Sequence, residues 1–527
     1  MIASAEKVIG AWYDDPRALA MLFALFVVAW TAFHVIAYAP IALHPDIVEV
    51  YAWARHPRLG YYKHPPLGAW MVAAWFAVFP TADWAFQLFA MTNAAVGLFA
   101  AGLIAQRYLG YRGADPDRKT GDHPRIDVRG QAFSGIGARD KYLVAVLLLL
   151  LTPFYQFHGQ RFGSSQVLLS TWPVATLCFL RAFETRDLAW SAAAGVAAAL
   201  AMLGKYYSIY LIAAFIVAAL MHPRRWDYLR SPSPWISLLA GVVVLAPHVY
   251  WLLNAGAQTF DYAAGVHGGD SMRVVIKKAF EYIPGSLAYV LVLLVVYAVL
   301  VRPSRRLLAA TFWPDDPDRR MLVVLLALPV LLPVLTLPPF GLSITSLWSM
   351  PAWFLLPVVL LAPPEIAITR TAAVRVALLV LTVTLACLIA APALAWYRHV
   401  GESKEARAHY RALSLELTQA WRRATGRPLS IVVGDMELTP AVTFYSPDHP
   451  DSIPGFNLAL APWITPERMA REGVAAVCRA DDRGCIETAK QRTSDKAARV
   501  SYEAINTFFG VRSPPGRFVL MLMPPQQ

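Results

Sequence analysis

The chain reads as a mainly α-helical, polytopic membrane protein that ends in a small soluble α/β domain. Three observations predict this. Of 527 residues, 57% are hydrophobic and only 16% charged, against roughly 25% charged in soluble domains. Apolar runs recur from residue 18 to residue 396, many near the length a bilayer-crossing helix needs. From about residue 397 the sequence turns to shorter, mixed polar and apolar patterns.

The first apolar run covers 18–39. Glu6, Asp14 and Asp15 precede it and no small-residue cleavage site follows, so it is expected as a retained span and not a signal peptide. The run at 66–80 breaks at Pro80 and Asp83 and reads as a re-entrant or interfacial element. Further spans are expected at 84–106, 142–156, 166–182, 188–204, 206–221, 235–253, 286–301, 321–337, 350–363 and 374–396. With 66–80 set aside the count is about eleven, thirteen being the alternative; several runs fall short of the ~20 residues of a perpendicular helix.

Formal net charge is +12. The basic residues cluster in short connections, densest over 107–141, and by the positive-inside rule that segment is cytoplasmic. Arg181, Arg224, Arg302 and Arg370 fall on the same side. The loops at 44–64, 155–165, 254–284 and 338–349 fall on the other, with a cytoplasmic N-terminus and an extracytoplasmic C-terminus. There is no basic stripe with interleaved aromatics on a soluble module, which argues against nucleic acid.

The expected division is a transmembrane body over 1–396, with a first extracytoplasmic loop at about 40–65, and a soluble domain over 397–527. In the latter, 401–425 reads as an amphipathic helix and Leu429–Gly434, Val474–Cys478 and Arg517–Met523 as strands. Of four cysteines, Cys178 and Cys387 lie in apolar runs. Cys478 and Cys485 form either a disulfide or two thiols; the sequence leaves both open.

Ionisable groups at a membrane edge are costly and mark candidate function. In His44-Pro45-Asp46-Ile47-Val48-Glu49, Pro45 starts a helix and puts Asp46 in its first turn. Glu49 falls on the same face, as a second polar ligand or a solvated neighbour. In Gly60-Tyr61-Tyr62-Lys63-His64-Pro65-Pro66, two prolines fix the depth of Lys63 and His64. Lys205 sits between two apolar runs. His158, Arg161, His248 and His267 are brought to the same face by charge parity. The stretch Gly265–Asp270 reads as a flexible glycine-rich loop. No Walker A, G-x-S-x-G or HExxH pattern occurs.

The Tyr61-Tyr62-Lys63-His64-Pro65-Pro66-Leu67 stretch, with Asp46 before it, resembles the protein O-mannosyltransferase superfamily, including its bacterial branch of lipid A aminoarabinose and galacturonic acid transferases. Leu203-Gly204-Lys205-Tyr206-Tyr207 and Ala246-Pro247-His248-Val249-Tyr250-Trp251 are similar to further signatures of that branch. The resemblance covers roughly 18–363 and implies a GT-C helical body and a polyprenyl-phosphate-linked sugar donor. The chain departs from the family in three places: Ile47 replaces the second of two adjacent acids, Lys63 stands where many bacterial members have an acid, and Gly163-Ser164-Ser165-Gln166 replaces an Asn-containing stretch.

The reaction this implies is inverting transfer to an extracytoplasmic acceptor: lipid A, core oligosaccharide, another glycan or a protein. Asp46 is the expected general base. Lys63, His64, Lys205 and Arg161 are expected on the donor phosphate, and Glu49, Tyr62, His158, His248 and His267 elsewhere in the pocket. No cofactor or metal-ligand set is expected, with divalent-metal dependence left open. The expected location is the bacterial inner membrane with the active site periplasmic. The competing class is a transporter or flippase of a polyprenyl-phosphate-linked sugar, which would need the cations but no base.

Overall fold

The computed structural model describes residues 17–109, 136–256, 258–401, 407–492 and 498–525. Most of the basic 107–141 segment, the acids before the first span and residues 402–406 of the expected soluble helix lie outside these residues. The chain is a multi-pass membrane protein. Among the described residues, six helices are long and apolar enough to cross a bilayer: Leu19–Ala37, Asp83–Leu109, Ser164–Thr185, Ser233–Asn254, Pro317–Phe340 and Arg370–Val400. The pair Met272–Tyr289 and Leu291–Val301, bent by 55°, makes a seventh if taken as one span.

This differs from the expected span list, and the reason is length. The runs expected as spans at 188–204, 206–221 and 350–363 fold as the shorter apolar helices Leu188–Gly204, Tyr206–Met221 and Ser346–Leu361, while the run at 66–80, set aside as a re-entrant or interfacial element, folds as the short helix Leu67–Phe76. At ~1.5 Å per residue, a ten-residue helix covers about half of a ~30 Å hydrocarbon core. The run expected at 142–156 ends as a helix at Leu149 and passes into a π-helical turn, Phe154–His158, just after Pro153.

The centre of the helical body is formed by Asp83–Leu109 and Ser164–Thr185, whose apolar windows are 72% and 78% buried, whereas Ser233–Asn254 is only 6% buried and sits at the periphery. Without a solvent-driven force between helices in lipid, close packing depends on small residues. Gly97 supplies one such contact: a Cβ there would overlap the Leu169 carbonyl of the neighbouring helix.

The C-terminal region carries a five-stranded sheet of order β2-β1-β3-β7-β4. Its strands are β1 (Ile431–Gly434), β2 (Asp451–Pro454), β3 (Val474–Arg479), β4 (Ala498–Ala504) and β7 (Gly516–Met523), with a small β5–β6 pair at Thr507–Phe508 and Val511–Arg512. β1 runs parallel to β2 and β3, and β7 antiparallel to β3 and β4. The three expected strands are present with small shifts of their ends. β2 and β4 were not foreseen: β2 is four residues ending in proline, and β4 is an edge strand of largely exposed, polar composition. The expected 401–425 helix is found as Tyr410–Thr425. Cys478 and Cys485 form a disulfide, with Cα atoms 5.8 Å apart.

One face of the sheet joins the hydrophobic core of the helices, through Val432, Val477 and Leu520 together with Trp421 and Phe444. The other face, with Ile431, Val433, Ala476 and Val519, has a core of its own. Apolar burial is therefore continuous across residues 396–397, where composition changes.

Gly97→Val should force the Asp83–Leu109 and Ser164–Thr185 helices apart, at a cost of about 1–3 kcal/mol for overpacking. Gly265→Ala, inside a helix with open space around it, should raise stability by up to about 1 kcal/mol. Thermal unfolding of the two variants in the same detergent checks this.

Candidate active site

Asp46, Glu49, Lys63, His64, His158, Arg161 and Lys205, far apart in sequence, all line one cavity of about 720 Å³. Its acidic side is built on the helix Pro45–Ala54. His44 has extended backbone and caps this helix, its Nδ1 accepting from the Asp46 amide at 3.3 Å, and Pro45 occupies the first turn. Proline costs nothing there, because its missing N–H would be unpaired anyway. Asp46 then projects from the first turn with 56% of its side chain exposed. A helix N-terminus favours its negative charge.

Glu49, one turn on, is not the solvated neighbour that was one of the two expectations. Its side chain is only 12% exposed. Lys63 Nζ donates to its Oε2 at 2.8 Å and the Tyr62 hydroxyl to its Oε1 at 2.8 Å. Lys63 also lies 3.6 Å from Asp46, so one ammonium bridges two carboxylates. Burial pushes the Glu49 carboxyl above the ordinary range, with Lys63 pulling it back. Burial would lower the Lys63 ammonium, but Glu49 and then Asp46 outweigh this and hold it above its usual value. Lys63 is thus committed to the carboxylates first. Tyr62 stands behind the lining, as the donor that orients Glu49.

Further basic side chains line the same cavity. Lys205 ends the helix Leu188–Gly204; its Nζ donates to Ser165 Oγ at 2.9 Å and lies 4.7 Å from the Trp348 ring centre. Burial without a carboxylate partner pulls its ammonium down to about 8. His64 Nε2 is 3.4 Å from Ser164 Oγ. Arg161 is exposed at the cavity edge. His158 is lowered by burial and then by Arg161.

Two expected residues stand elsewhere. His248 is buried behind the wall: it hydrogen-bonds the Tyr206 hydroxyl at 2.8 Å and the Leu59 carbonyl. It therefore braces Tyr206, which does line the cavity. His267 is the last residue of the helix Gln258–His267, and its side chain lies outside the described residues. That helix also corrects the expected glycine-rich loop, since Gly265 to His267 are helical and Asp270 beyond them pairs with Lys278 at 2.6 Å. Tyr262, in the same loop as His267, was expected on this face and lines the cavity, whereas sequence reasoning passed over Ser165 as a site residue and Trp348 altogether. The Gly163-Ser164-Ser165 helix start was a usable signal for Ser165; nothing local marks Trp348, on the 3₁₀ stretch Ser346–Leu355.

C-terminal residues hold the helix Pro45–Ala54 at both ends. Before its start, the Leu43 amide donates to the Tyr445 hydroxyl at 2.8 Å. Midway, Tyr51 packs edge-on against Phe444. After its end, His56 Nε2 is 2.7 Å from Asp451 Oδ1, Arg55 is 3.7 Å from the same oxygen, and Arg468 donates to Oδ2 at 2.8 Å. Burial would raise the Asp451 carboxyl, but His56 and Arg468 outweigh it and hold it below the usual range.

Among the described residues no group of three or more His, Cys, Asp or Glu is arranged to hold a metal. The two carboxylates nearest the cavity are already bridged by the Lys63 ammonium, a donor set that does not suit a divalent ion.

A family model described as dolichyl-phosphate-mannose-protein mannosyltransferase matches residues 138–251, a stretch that holds His158, Arg161 and Lys205 but not Asp46 or Lys63. The chain is 27% identical over 348 residues to the lipopolysaccharide core galacturonosyltransferase RgtB of Rhizobium johnstonii; the match covers 60% of this chain and spans 66% of the length of that relative. In fold it is similar to ArnT from Cupriavidus metallidurans, solved bound to undecaprenyl phosphate, with a TM-score of 0.59 at 12% identity, covering 96% of this chain and 98% of that one. The apo form of ArnT gives a TM-score of 0.58, also at 12% identity, covering 95% and 97%. The chain resembles the GT-C glycosyltransferases, as the first-loop residues implied.

Lys63→Met leaves Glu49 out of water without its cation, and removing one partner of a buried pair costs about 3 kcal/mol. Glu49→Gln in the same chain should recover most of that loss. Chemical or thermal unfolding of the two single variants and the double variant checks the coupling.

Proposed function

We propose that this chain is a membrane glycosyltransferase that moves a sugar from a polyprenyl-phosphate donor to a hydroxyl of lipopolysaccharide, with inversion, at the periplasmic face of the inner membrane. The observation that carries this reading is the mixed charge of the cavity. An exposed carboxylate, Asp46, shares its lining with Lys205, Arg161 and His64, while Lys63 is held by Glu49. The names and folds of the similar proteins support the same reaction class. Residues 397–527 are read as a domain on the periplasmic side that packs on the membrane body.

The acceptor hydroxyl approaches the anomeric carbon from the Asp46 side. Its oxygen forms the new C–O bond, Asp46 takes its proton, and the bond from the anomeric carbon to the phosphate oxygen breaks with both electrons on the leaving polyprenyl phosphate. Phosphate is a good leaving group, so a general acid is not needed. The negative charge on that oxygen grows as the bond breaks, and fixed cations in a partly dry site stabilise it. Lys205 and Arg161 fill that role, with His64 as a hydrogen-bond donor beside them. Lys63, 3.6 Å from Asp46, holds that carboxylate in place more than it binds phosphate. The apolar part of the lining, with Ile209, Leu337 and Leu347, suits the first isoprene units. One exposed carboxylate among several basic groups, with the second acid held by Lys63 and Tyr62, fits this displacement better than the paired working carboxylates of glycosidases.

Purified protein incubated with labelled polyprenyl-phosphate sugars and lipopolysaccharide should give covalent label on the acceptor. Movement of donor between leaflets with no transfer would instead make the chain a transporter. Asp46→Asn should lower kcat by about 10²–10⁴, the usual range for a general base, with an unchanged melting temperature; turnover near wild type would remove Asp46 from that role.

Lys205 gives a pH signature. In the empty cavity its ammonium titrates at about 8, so the cation is present below that pH and lost above it. The donor KM should therefore rise as pH increases through about 8, and Lys205→Arg should abolish this rise. Stability should move the other way. The folded value lies below the unfolded one, so between about 8 and 10.5 the unfolded chain holds more protons and the fold gains stability with rising pH. Donor kinetics and thermal unfolding across the same buffers check both signs.

A further inference from the structure

A cleft of about 1140 Å³ lies at one end of the C-terminal sheet, apart from the cavity that holds Asp46. Its position follows from the topology. From β1 the chain runs through the helix Leu438–Tyr445 to β2, on one side of β1; from β2 it runs through the helix Pro466–Glu472 to β3, on the other. The first helix packs with the core shared with the membrane body and the second with the separate core on the opposite face. The winding therefore reverses between β1 and β3. In open α/β sheets, the crevice beyond the carboxyl ends of the strands at such a reversal is where ligands bind. Gly434, Gly455 and Arg479, at or just past the ends of β1, β2 and β3, all line this cleft.

The cleft is rigid. Gly434 has φ +131°, and a Cβ there would overlap the Val477 carbonyl; Gly455 has φ +61° and sits against Met436. The Cys478–Cys485 disulfide closes the loop that carries Asp481 and Asp482 on the rim. Asp435 caps the next helix through the Glu437 and Leu438 amides at 2.8 and 3.0 Å.

We infer that this cleft binds an oligosaccharide segment. Its polar groups alternate in sign. Arg479 donates to Glu437 at 2.8 Å and lies 3.5 Å from Asp435, and Arg407, Asp481 and Arg517, the last paired with Glu503 at 2.9 Å, line the same cleft. Arginines braced by carboxylates are poor hosts for a polyanion, and the carboxylates are poor hosts for a polycation. A sugar ring suits both, because each hydroxyl can accept from a guanidinium and donate to a carboxylate. Met436, 46% exposed, offers apolar surface to the ring faces. Resting on the proposed reaction, the segment is the glycan of the acceptor, held some sugars away from the hydroxyl that reacts. The cleft is then a specificity element for the acceptor and touches neither donor nor base.

The test uses the full-length protein in nanodiscs and, as probe, core oligosaccharide released from lipopolysaccharide by mild acid. The wild type should bind the probe without donor. Met436→Trp, which fills the cleft, and Asp481→Lys, which reverses the charge of its rim, should each weaken binding at least tenfold. Each should also raise the KM for intact lipopolysaccharide at least tenfold, without changing the donor KM or transfer to a lipid acceptor stripped of core sugars. No binding by the wild type, or equal binding by both variants, overturns the inference. If Met436→Trp lowers the melting temperature, Asp481→Lys decides alone. Binding that behaves as expected but is accompanied by no transfer from any donor leaves the cleft standing and overturns only the proposed reaction.

Discussion

A carboxylate taken out of water beside a membrane needs a partner close by, and the site is organised around how Glu49 meets that need. Lys63 and Tyr62 both donate to it at 2.8 Å. A buried ion pair of this kind contributes little net stability, because desolvation offsets most of the attraction. What it does fix is geometry. It ties the loop carrying the Tyr-Tyr-Lys-His stretch to the helix that presents Asp46, and it sets the distance from the ammonium to that second carboxylate at 3.6 Å. The exposed acid is left lining the cavity with a fixed positive neighbour, and among the described residues no carboxylate pairs with Lys205 in the same lining.

That arrangement depends in turn on parts of the chain remote from it. The helix Pro45–Ala54 is short, with ten residues, and a helix of that length is marginal by itself. Its order comes from packing. Ile47 and Val48 are fully buried, Tyr51 meets Phe444, and Asp451 gathers His56, Arg55 and Arg468 beyond its last turn. The C-terminal region thereby forms part of the wall that orients the acidic side of the cavity, besides carrying a cleft of its own.

Much of the site was legible because membrane-edge charges are rare and each one needs a reason. Asp46, Lys63, His64, Lys205, Arg161 and His158 stand out in so apolar a chain, and all six line the same cavity. Pro45 before Asp46 announced the helix start. What sequence could not supply was depth and partner. Glu49 sits three residues from Asp46 on one face, yet one is mostly buried and the other mostly exposed, a difference made by the loop that folds over Glu49. His248 faces Tyr206, not the cavity, and no local pattern links positions 42 residues apart. The helical body was readable from composition, but the number of crossing helices was not, because a run of apolar residues does not reveal whether proline or a polar neighbour ends its helix early. In the sheet, β1, β3 and β7 were readable as buried apolar runs, while β2 and β4 lack one.

The hydrogen bond between His56 and Asp451 joins residues 395 apart in the chain. A protein made from its N-terminus exposes the helix bearing Asp46 long before Asp451 and Arg468 emerge. Until they do, that helix lacks the contacts that hold its far end, so a stretch made late sets the orientation of one made early.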